Sequence, residues 1–164
     1  IKRWGKRNVT LAGSVLAVVS HLLILANPFS FQWFFGVTLI RSIGVSQLSA
    51  TIFGMLGDVV EYGYWKNGFR QESLIFGGAS LGFKVGTGVT SALMTGLMTA
   101  SGYISSTSGN VVQPGSAVTT IGNIYKFGPV IIWAAAIILL LIYKLDKEYP
   151  KISKELAERE MNQA

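Results

Sequence analysis

Residues 9–26 have the sequence VTLAGSVLAVVSHLLILA, in which His21 is the only ionisable side chain. A helix that spans the hydrocarbon core of a bilayer needs about 20 predominantly apolar residues, and this stretch has close to that length. Three further apolar stretches follow it, at residues 31–56, 73–100 and 121–143. The sequence therefore predicts an all-α membrane protein with four transmembrane helices.

The composition of the whole chain supports this prediction. Only 13% of its 164 residues are charged, whereas a soluble domain carries about 25%. The absence of cysteine excludes disulfides, thiolate metal sites and cysteine nucleophiles. We expect a lead-in over residues 1–8, a transmembrane region over residues 9–143 and a tail over residues 144–164. Because the chain begins with Ile1 rather than Met, we also expect it to be part of a longer protein.

The positions of the basic residues predict the topology. The formal net charge is +6, and most of the 14 Lys and Arg residues lie in the lead-in, in the loop at residues 57–72 and in the tail. The turn at Asn27 and Pro28 and the loop at residues 102–120 contain no charged residue. Cytoplasmic loops of membrane proteins carry the excess of Lys and Arg. We therefore expect a multi-pass protein of the plasma (inner) membrane with both termini in the cytoplasm, and no nucleic-acid partner.

Two short segments predict local structure. Because Asn27 and Pro28 form a tight break, the first two helices should be antiparallel neighbours. The tail intersperses Lys and Glu, with Lys154 and Glu158 at i,i+4 spacing. This pattern predicts a cytoplasmic helix whose charged face is solvated.

Three basic residues, Arg41, Lys84 and Lys126, fall inside the apolar stretches. A charged side chain within a bilayer is costly unless it faces protein or water, so each is a functional candidate. Lys126 lies near the outer end of its helix, where its stem can reach the interface. Arg41 is near mid-depth, where it could grip a substrate carboxylate or vicinal hydroxyls, or hydrogen-bond a neighbouring helix. His21, alone on an apolar helix, is predicted to be structural rather than a proton relay.

Lys84 lies close to the middle of the third stretch. A polar stripe surrounds it, formed by Ser80, Thr87 and Ser91. A second face of the same helix carries small residues for close packing, namely Gly78, Gly82 and Gly86. The stripe predicts an aqueous pathway, and the alternative is a buried ion pair that holds helices together. Because the apolar stretches contain no mid-membrane carboxylate, we expect the partner of Lys84 to lie on helices outside this chain or on a substrate.

The loop at residues 57–72 carries the densest group of charges. Asp58 and Glu61 are spaced i,i+3 and can share one helix face. Further charged residues follow within reach of these two carboxylates, namely Lys66, Arg70 and Glu72. Mixed charges at the end of a helix suit an ion-pair lock that forms when the protein closes to the cytoplasm and breaks when it opens. The alternative is an ordinary solvated loop.

The stretch GDVVEYGYWKNGFRQESLIF, residues 57–76, resembles the signature D-x-V-[DE]-Y-G-x-[WF]-K-x-x-x-R-x-E. This signature belongs to the glycoside–pentoside–hexuronide:cation symporters, the melibiose-permease-like branch of the major facilitator superfamily. The matching positions are Asp58, Glu61, Tyr62, Gly63, Trp65, Lys66, Arg70 and Glu72. Lys84 also falls where melibiose permease has a Lys in its eleventh helix. The resemblance covers essentially the whole chain and implies that it corresponds to helices 9–12 of a twelve-helix fold.

The resemblance implies secondary active transport of a sugar, glycoside or uronide by cation symport through alternating access. The coupling cation would be Na⁺ or H⁺, with Li⁺ also used in the family, and no other cofactor is expected. The cation ligands would lie mostly on N-terminal helices that are absent here, and Lys84 would lie close to the cation and sugar sites. The residues implied to form a cytoplasmic gate are Asp58, Glu61, Tyr62, Trp65, Lys66, Arg70 and Glu72.

Two positions depart from melibiose permease, which has a Trp where Ser49 stands and an apolar residue where Arg41 stands. Both departures argue against a melibiose-like substrate, and Arg41 suggests a uronide or another acidic sugar as a hypothesis.

Two other function classes compete with transport. One is a small four-helix membrane channel or scaffold protein. The other is a membrane-embedded enzyme that uses Asp58 and Glu61, but no metal-ligand cluster or nucleophile–base set accompanies them, so we do not expect an enzyme. The expected partners are the lipid bilayer, the missing N-terminal helices of the same protein and a sugar or glycoside substrate.

Overall fold

The computed structural model describes residues 4–27, 30–105, 109 and 111–162. These residues form five helices and no strand, which confirms the all-α class. In chain order the helices are α1 (Lys6–Ala26), α2 (Phe31–Asn67), α3 (Glu72–Ala100), α4 (Gly115–Ile142) and α5 (Leu145–Met161).

Three of the helices, α1, α2 and α4, are long and apolar enough to cross a membrane. The predicted third span, residues 73–100, coincides with α3, but α3 is not apolar enough to be counted with them. The total of four spans therefore stays a prediction. The chain divides into two compact units, one of Ile1–Gly77 with Val130–Ala164 and one of Gly78–Pro129.

The helix ends differ most from the predicted boundaries in two places. No Pro or Gly pair interrupts α2 near Asp58, so α2 continues through much of the predicted loop at residues 57–72. It ends at Gly68, whose φ of 79° is left-handed and whose N–H donates to the Tyr64 carbonyl at 2.9 Å. The second difference is that α4 begins at Gly115, inside the predicted loop at residues 102–120. Pro28, the predicted helix breaker, lies outside the described residues.

In the first unit, α1 and α2 pack as a close antiparallel hairpin. A Cβ added to Gly44 would lie 2.6 Å from the Gly13 carbonyl oxygen and 2.9 Å from the Ala17 nitrogen. Such a backbone-to-backbone approach is available only to small residues, and it increases dispersion contact between helices. Ala17 is accordingly fully buried.

Buried hydroxyl groups line the same interface. The Thr10 and Thr51 hydroxyls hydrogen-bond to each other at 2.5 Å. Thr10 also donates to the Lys6 carbonyl and Ser14 to the Thr10 carbonyl, both at 2.8 Å. Ser and Thr can satisfy their hydroxyls on the preceding helical turn in this way. The interface is therefore polar in composition, and these hydroxyls are satisfied.

The tail helix α5 docks on α2 along one face. Ile152 and Leu156 are buried, while Lys151, Lys154 and Glu158 lie toward solvent, with N–O distances of 3.8 Å for Lys151–Glu155 and 3.9 Å for Lys154–Glu158. The spacing of the buried residues, i and i+4, places them on one stripe of the helix. The predicted solvated face exists, and the opposite face holds the helix against the bundle.

In the second unit, hydrogen bonds close the segment between α3 and α4. The Gln113 side chain accepts from the Ile104 N–H at 3.0 Å and donates to the Ile104 carbonyl at 2.8 Å. The Ser116 hydroxyl donates to the Ser101 carbonyl at 2.7 Å. No residue of α3 is buried along its length, all of which is described.

The close approach of α1 and α2 makes Gly44 intolerant of a side chain. We expect Gly44→Ala to destabilise the protein by roughly 1–3 kcal/mol, because the nearest atoms are backbone atoms that cannot move aside. The matched control is Gly36→Ala on the same helix, where an added Cβ meets nothing within 4 Å of the described residues. Thermal unfolding in detergent, followed by size-exclusion chromatography after heating, measures both. Equal melting temperatures for the two variants would contradict the packing argument.

Candidate functional site

A buried ion pair joins the start of α1 to the far end of α2. The Lys6 ammonium lies 2.6 Å from the Asp58 carboxylate, and the Asp58 side chain is only 2% exposed. The same ammonium donates to the Gly54 carbonyl at 3.1 Å and lies 5.1 Å from the centre of the Tyr149 ring. Burial of a charge is costly unless the charge is paired and hydrogen-bonded. Lys6 supplies Asp58 with both an opposite charge and a hydrogen bond.

The tail helix supplies the partner of Glu61. The Tyr149 hydroxyl donates to the Glu61 carboxylate at 2.5 Å. Burial, reinforced by the nearby Glu61 and Asp58 carboxylates, raises the pKa of the Tyr149 hydroxyl above its ordinary value. The hydroxyl therefore keeps its proton and remains a donor to Glu61 across the physiological pH range.

Trp65 is held from two sides by the same tail helix. Its indole N–H donates to the Glu155 carboxylate at 2.6 Å. Its backbone carbonyl, in the last turn of α2, accepts from the Arg159 guanidinium at 3.1 Å. The carbonyls at a helix C-terminus lack intrahelical partners and attract cations, so Arg159 stabilises this end of α2.

A reciprocal contact joins α1 to α4 and α5. The Arg7 guanidinium donates to the carbonyls of Leu140 and Leu141 at 2.6 and 3.0 Å, near the end of α4. The Asp146 carboxylate accepts from the Arg7 backbone N–H at 3.1 Å, near the start of α1. Gly5, whose φ is 77°, lies so close that an added Cβ would collide with Asp146. Each charge faces the helix end whose dipole it complements.

The other residues of the predicted gate lie at the exposed rim of this cluster. Lys66 lies over the Tyr62 ring at 5.8 Å, and the Arg70 guanidinium lies over the Tyr64 ring at 5.2 Å. Arg70 is also 3.9 Å from Glu160, with both side chains largely exposed. Exposed pairs of this kind contribute about 0–1 kcal/mol. Glu72 lies in the first turn of α3.

The partners of the gate candidates come from outside the signature stretch. Among the described residues, no ion pair joins Asp58, Glu61 or Glu72 to Lys66 or Arg70. Instead the lead-in and the tail provide Lys6, Tyr149, Glu155, Arg159 and Glu160. Sequence reasoning missed these residues; the i,i+4 spacing of Ile152 and Leu156 in the tail is the signal that could have shown that α5 docks.

Arg41 contacts His21 across the hairpin. The Arg41 NH1 nitrogen lies 3.3 Å from the His21 Nδ1, and His21 is fully buried. This is the interhelical hydrogen bond weighed as one alternative for Arg41. The role of Arg41 toward a substrate stays a prediction.

Lys84 and its polar stripe lie on α3 in the second unit. Ser80, Lys84, Thr87 and Ser91 are all exposed. The Thr87 hydroxyl donates to the carbonyls of Phe83 and Lys84 at 3.1 and 2.9 Å. Within the part of the chain that the structure describes, the Lys84 ammonium has no acidic partner. The same residues contain no cluster of three or more His, Cys, Asp or Glu side chains that could hold a metal ion.

Comparison with known proteins gives concordant relatives. A family model described as MFS/sugar transport protein matches residues 1–147. The chain is 32% identical over 160 residues to an isoprimeverose transporter from Lactiplantibacillus pentosus, an alignment that covers 96% of this chain and 33% of the relative. It is 27% identical over 161 residues to a glucuronide carrier protein homolog from Escherichia coli, covering 97% and 34%. It is 27% identical over 169 residues to a putative sulfoquinovose importer from Salmonella typhimurium, covering 97% and 33%.

The chain thus spans about a third of the length of the curated relatives it matches. These relatives are transporters and not enzymes. No solved structure matches the chain.

The buried ion pair makes Lys6 a strong determinant of stability. Among the described residues, Asp58 Oδ2 is buried without a hydrogen-bond partner, so Lys6 provides most of the compensation for this charge. We expect Lys6→Met to destabilise the protein by about 3–5 kcal/mol, because it leaves a buried charge unpaired. The exposed Lys151→Met is the matched control and should change stability by about 0–1 kcal/mol.

Thermal unfolding in detergent measures this effect. The double variant Lys6→Met with Asp58→Leu should recover most of the loss, since it removes both charges. A double variant no more stable than the single one would contradict the pairing argument.

Docking of α5 through its apolar stripe predicts a protease-sensitive variant. Ile152→Asp should increase the rate of tryptic cleavage within α5 by about tenfold or more, because exposing a buried Ile costs roughly 1.5–3 kcal/mol of docking free energy. Ser153→Asp introduces the same side chain on the neighbouring solvent-facing position and is the control. Limited proteolysis with mass spectrometry distinguishes the two, and similar cleavage of both variants would show that α5 does not dock by this face.

Proposed function

Because the chain belongs to the MFS/sugar transport protein family, we propose that it is the C-terminal part of a cation-coupled sugar transporter. The transporter would move a sugar, glycoside or uronide by symport with Na⁺ or H⁺ through alternating access. The family match over residues 1–147 carries this proposal, and the signature at residues 57–76 supports the assignment to helices 9–12. Transporter relatives about three times as long favour it over a small four-helix channel or scaffold.

The charged cluster at the start of α1 and the end of α2 is proposed as the cytoplasmic gate. Its members from the signature are Asp58, Glu61, Tyr62, Trp65, Lys66, Arg70 and Glu72. Charge-assisted hydrogen bonds such as those of Trp65 with Glu155 and Tyr149 with Glu61 are directional and are lost over short displacements. Several contacts of this kind would close the gate firmly, yet each could break in turn as the helices separate.

The polar stripe of α3 is proposed as part of the transport pathway. An ammonium group in a membrane span requires water or a counter-charge, and Lys84 has no acidic partner among the described residues. We propose that Lys84, with Ser80, Thr87 and Ser91, faces the cation and sugar sites, and that its counter-charge lies on N-terminal helices or on the substrate.

The distribution of basic residues supports the topology proposed for the chain. Both termini would be cytoplasmic and the protein would lie in the plasma membrane, because cytoplasmic loops carry the excess of Lys and Arg.

Arg41 is proposed as a substrate contact in the same pathway. Relatives are named for isoprimeverose, for a glucuronide and for sulfoquinovose, so the family name alone leaves the substrate open. A guanidinium can bind a carboxylate through two parallel N–H donors, which favours a uronide or another acidic sugar.

Counterflow in vesicles that carry the full-length protein tests the proposal. Labelled neutral sugars, glycosides and uronides are compared with and without Na⁺ and across a proton gradient. We expect one sugar class to exchange and a cation gradient to accelerate its uptake. Lys84→Ala should abolish cation-coupled uptake with membrane insertion intact, because the pathway loses its fixed charge.

Lys126→Ala is the matched control, since Lys126 is predicted to reach the outer interface, and it should retain uptake. Normal coupled uptake by Lys84→Ala would refute the assignment of Lys84. No exchange of any sugar by the wild type would refute the proposed function.

A further inference from the structure

Two buried oxygen atoms beside the proposed gate have no hydrogen-bond partner among the described residues. One is Oδ2 of Asp58, whose side chain is only 2% exposed, and the other is the hydroxyl oxygen of Tyr143. Most buried polar groups in folded proteins bond to protein or to ordered water, and a buried group without a partner costs free energy. Each of these two oxygen atoms therefore calls for a partner that the described side chains do not supply.

The first turn of α1 brings the two groups into one neighbourhood. The Lys6 ammonium lies 2.6 Å from the Asp58 carboxylate. The next residue, Arg7, binds two backbone carbonyls near the end of α4 through its guanidinium and Asp146 through its backbone N–H. Tyr143 lies between these two points of attachment, and the carboxylates of Asp58 and Asp146 both act electrostatically on its hydroxyl.

The two groups are complementary in their hydrogen-bonding chemistry. A carboxylate only accepts hydrogen bonds, whereas a phenol is protonated at physiological pH and donates one. The Tyr143 hydroxyl and Asp58 Oδ2 nevertheless do not bond each other in the structure. A water molecule can join a donor to an acceptor in this arrangement, and such a bridge is enthalpically nearly as good as a direct hydrogen bond. A cation fits less well, because the Lys6 ammonium already pairs with the same carboxylate.

We infer that one buried water molecule accepts a hydrogen bond from the Tyr143 hydroxyl and donates one to Asp58 Oδ2. Buried waters in proteins typically make about three hydrogen bonds. The Tyr149 hydroxyl oxygen is an acceptor for the third, because it donates its own proton to Glu61 and keeps a lone pair. Tyr149 lies near enough to Asp58 for the carboxylate to act on its hydroxyl.

The water site adds a further part of the chain to the proposed gate. Lys6 and Asp58 join α1 to α2, and the bridge joins both to the junction between α4 and α5, where Tyr143 directly follows the last residue of α4. The inference rests on the proposed function only where the cluster is called a gate. The water site itself does not depend on transport.

An experimental structure of the full-length protein in lipid nanodiscs, at a resolution that shows ordered water, tests the inference directly. We expect one isolated density at about 2.5–3.0 Å from both the Tyr143 hydroxyl oxygen and Asp58 Oδ2, the usual range for hydrogen bonds between oxygen atoms. The density should be the same in Na⁺ and in K⁺ buffers.

A double-mutant cycle measures the same bridge as a coupling. Tyr143→Phe removes only the hydroxyl and should raise the equilibrium constant of unfolding in a denaturing detergent by about tenfold, since hydrogen bonds to charged groups contribute about this much. In the variant Lys6→Met with Asp58→Leu, which has no carboxylate at this site, the same substitution should change the constant by less than about twofold. Tyr103→Phe removes the hydroxyl of an exposed tyrosine and is the matched control in both backgrounds.

Three structural outcomes would overturn the inference: no density between the two oxygen atoms, a direct bond between Tyr143 and Asp58, or another side chain of the protein in that place. A density that appears only with Na⁺ would identify a cation and would also overturn it, as would an equal effect of Tyr143→Phe in both backgrounds. If the water is present and coupled but no sugar exchanges in counterflow, the proposed function fails and the water site stands.

Discussion

The backbone contact between Gly13 and Gly44 sets the register of the hairpin on which the first unit is built. Without side chains at these positions, α1 and α2 can approach until the carbonyl of one helix nearly touches the Cα of the other. Because the helices are antiparallel, residues with increasing numbers along α1 contact residues with decreasing numbers along α2. The pairs aligned in this way are Lys6 with Asp58, Thr10 with Thr51, and His21 with Arg41. One steric constraint therefore positions the proposed gate at one end and the proposed substrate contact toward the other.

Hydropathy predicted the helical class, and the tight break at Asn27 and Pro28 predicted that the first two helices are antiparallel neighbours, because both signals are local in the sequence. The end of α2 was harder to predict, since the charged signature resembles a loop while its backbone stays helical up to Gly68. The partners of the gate candidates depend on contacts between distant positions. Lys6 and Asp58 are 52 residues apart, and Tyr149 and Glu61 are 88 apart. No spacing rule within one segment reports such a contact.

The two sets of small residues in this chain have different surroundings. At Gly13 and Gly44, the backbone of the facing helix occupies the space that a side chain would take, as a small-residue interface requires. Gly78, Gly82 and Gly86 of α3 were predicted to form such a face, but an added Cβ at each would meet nothing within 4 Å among the described residues. Sequence pattern identifies the capacity for close packing, whereas the identity of the packing partner depends on the rest of the fold.

The docking of α5 also has a consequence for biosynthesis. A ribosome completes α1 and α2 long before α5, so the hairpin and the Lys6–Asp58 pair can form while the chain is still being made. Glu61 and Trp65 must wait for their partners Tyr149, Glu155 and Arg159, which follow 88 to 94 residues further along the chain. During that interval water or chaperones must satisfy their polar groups. The proposed gate therefore matures only after α5 has been made, and a chain interrupted before α5 would have its α1–α2 hairpin in place but this end unlatched.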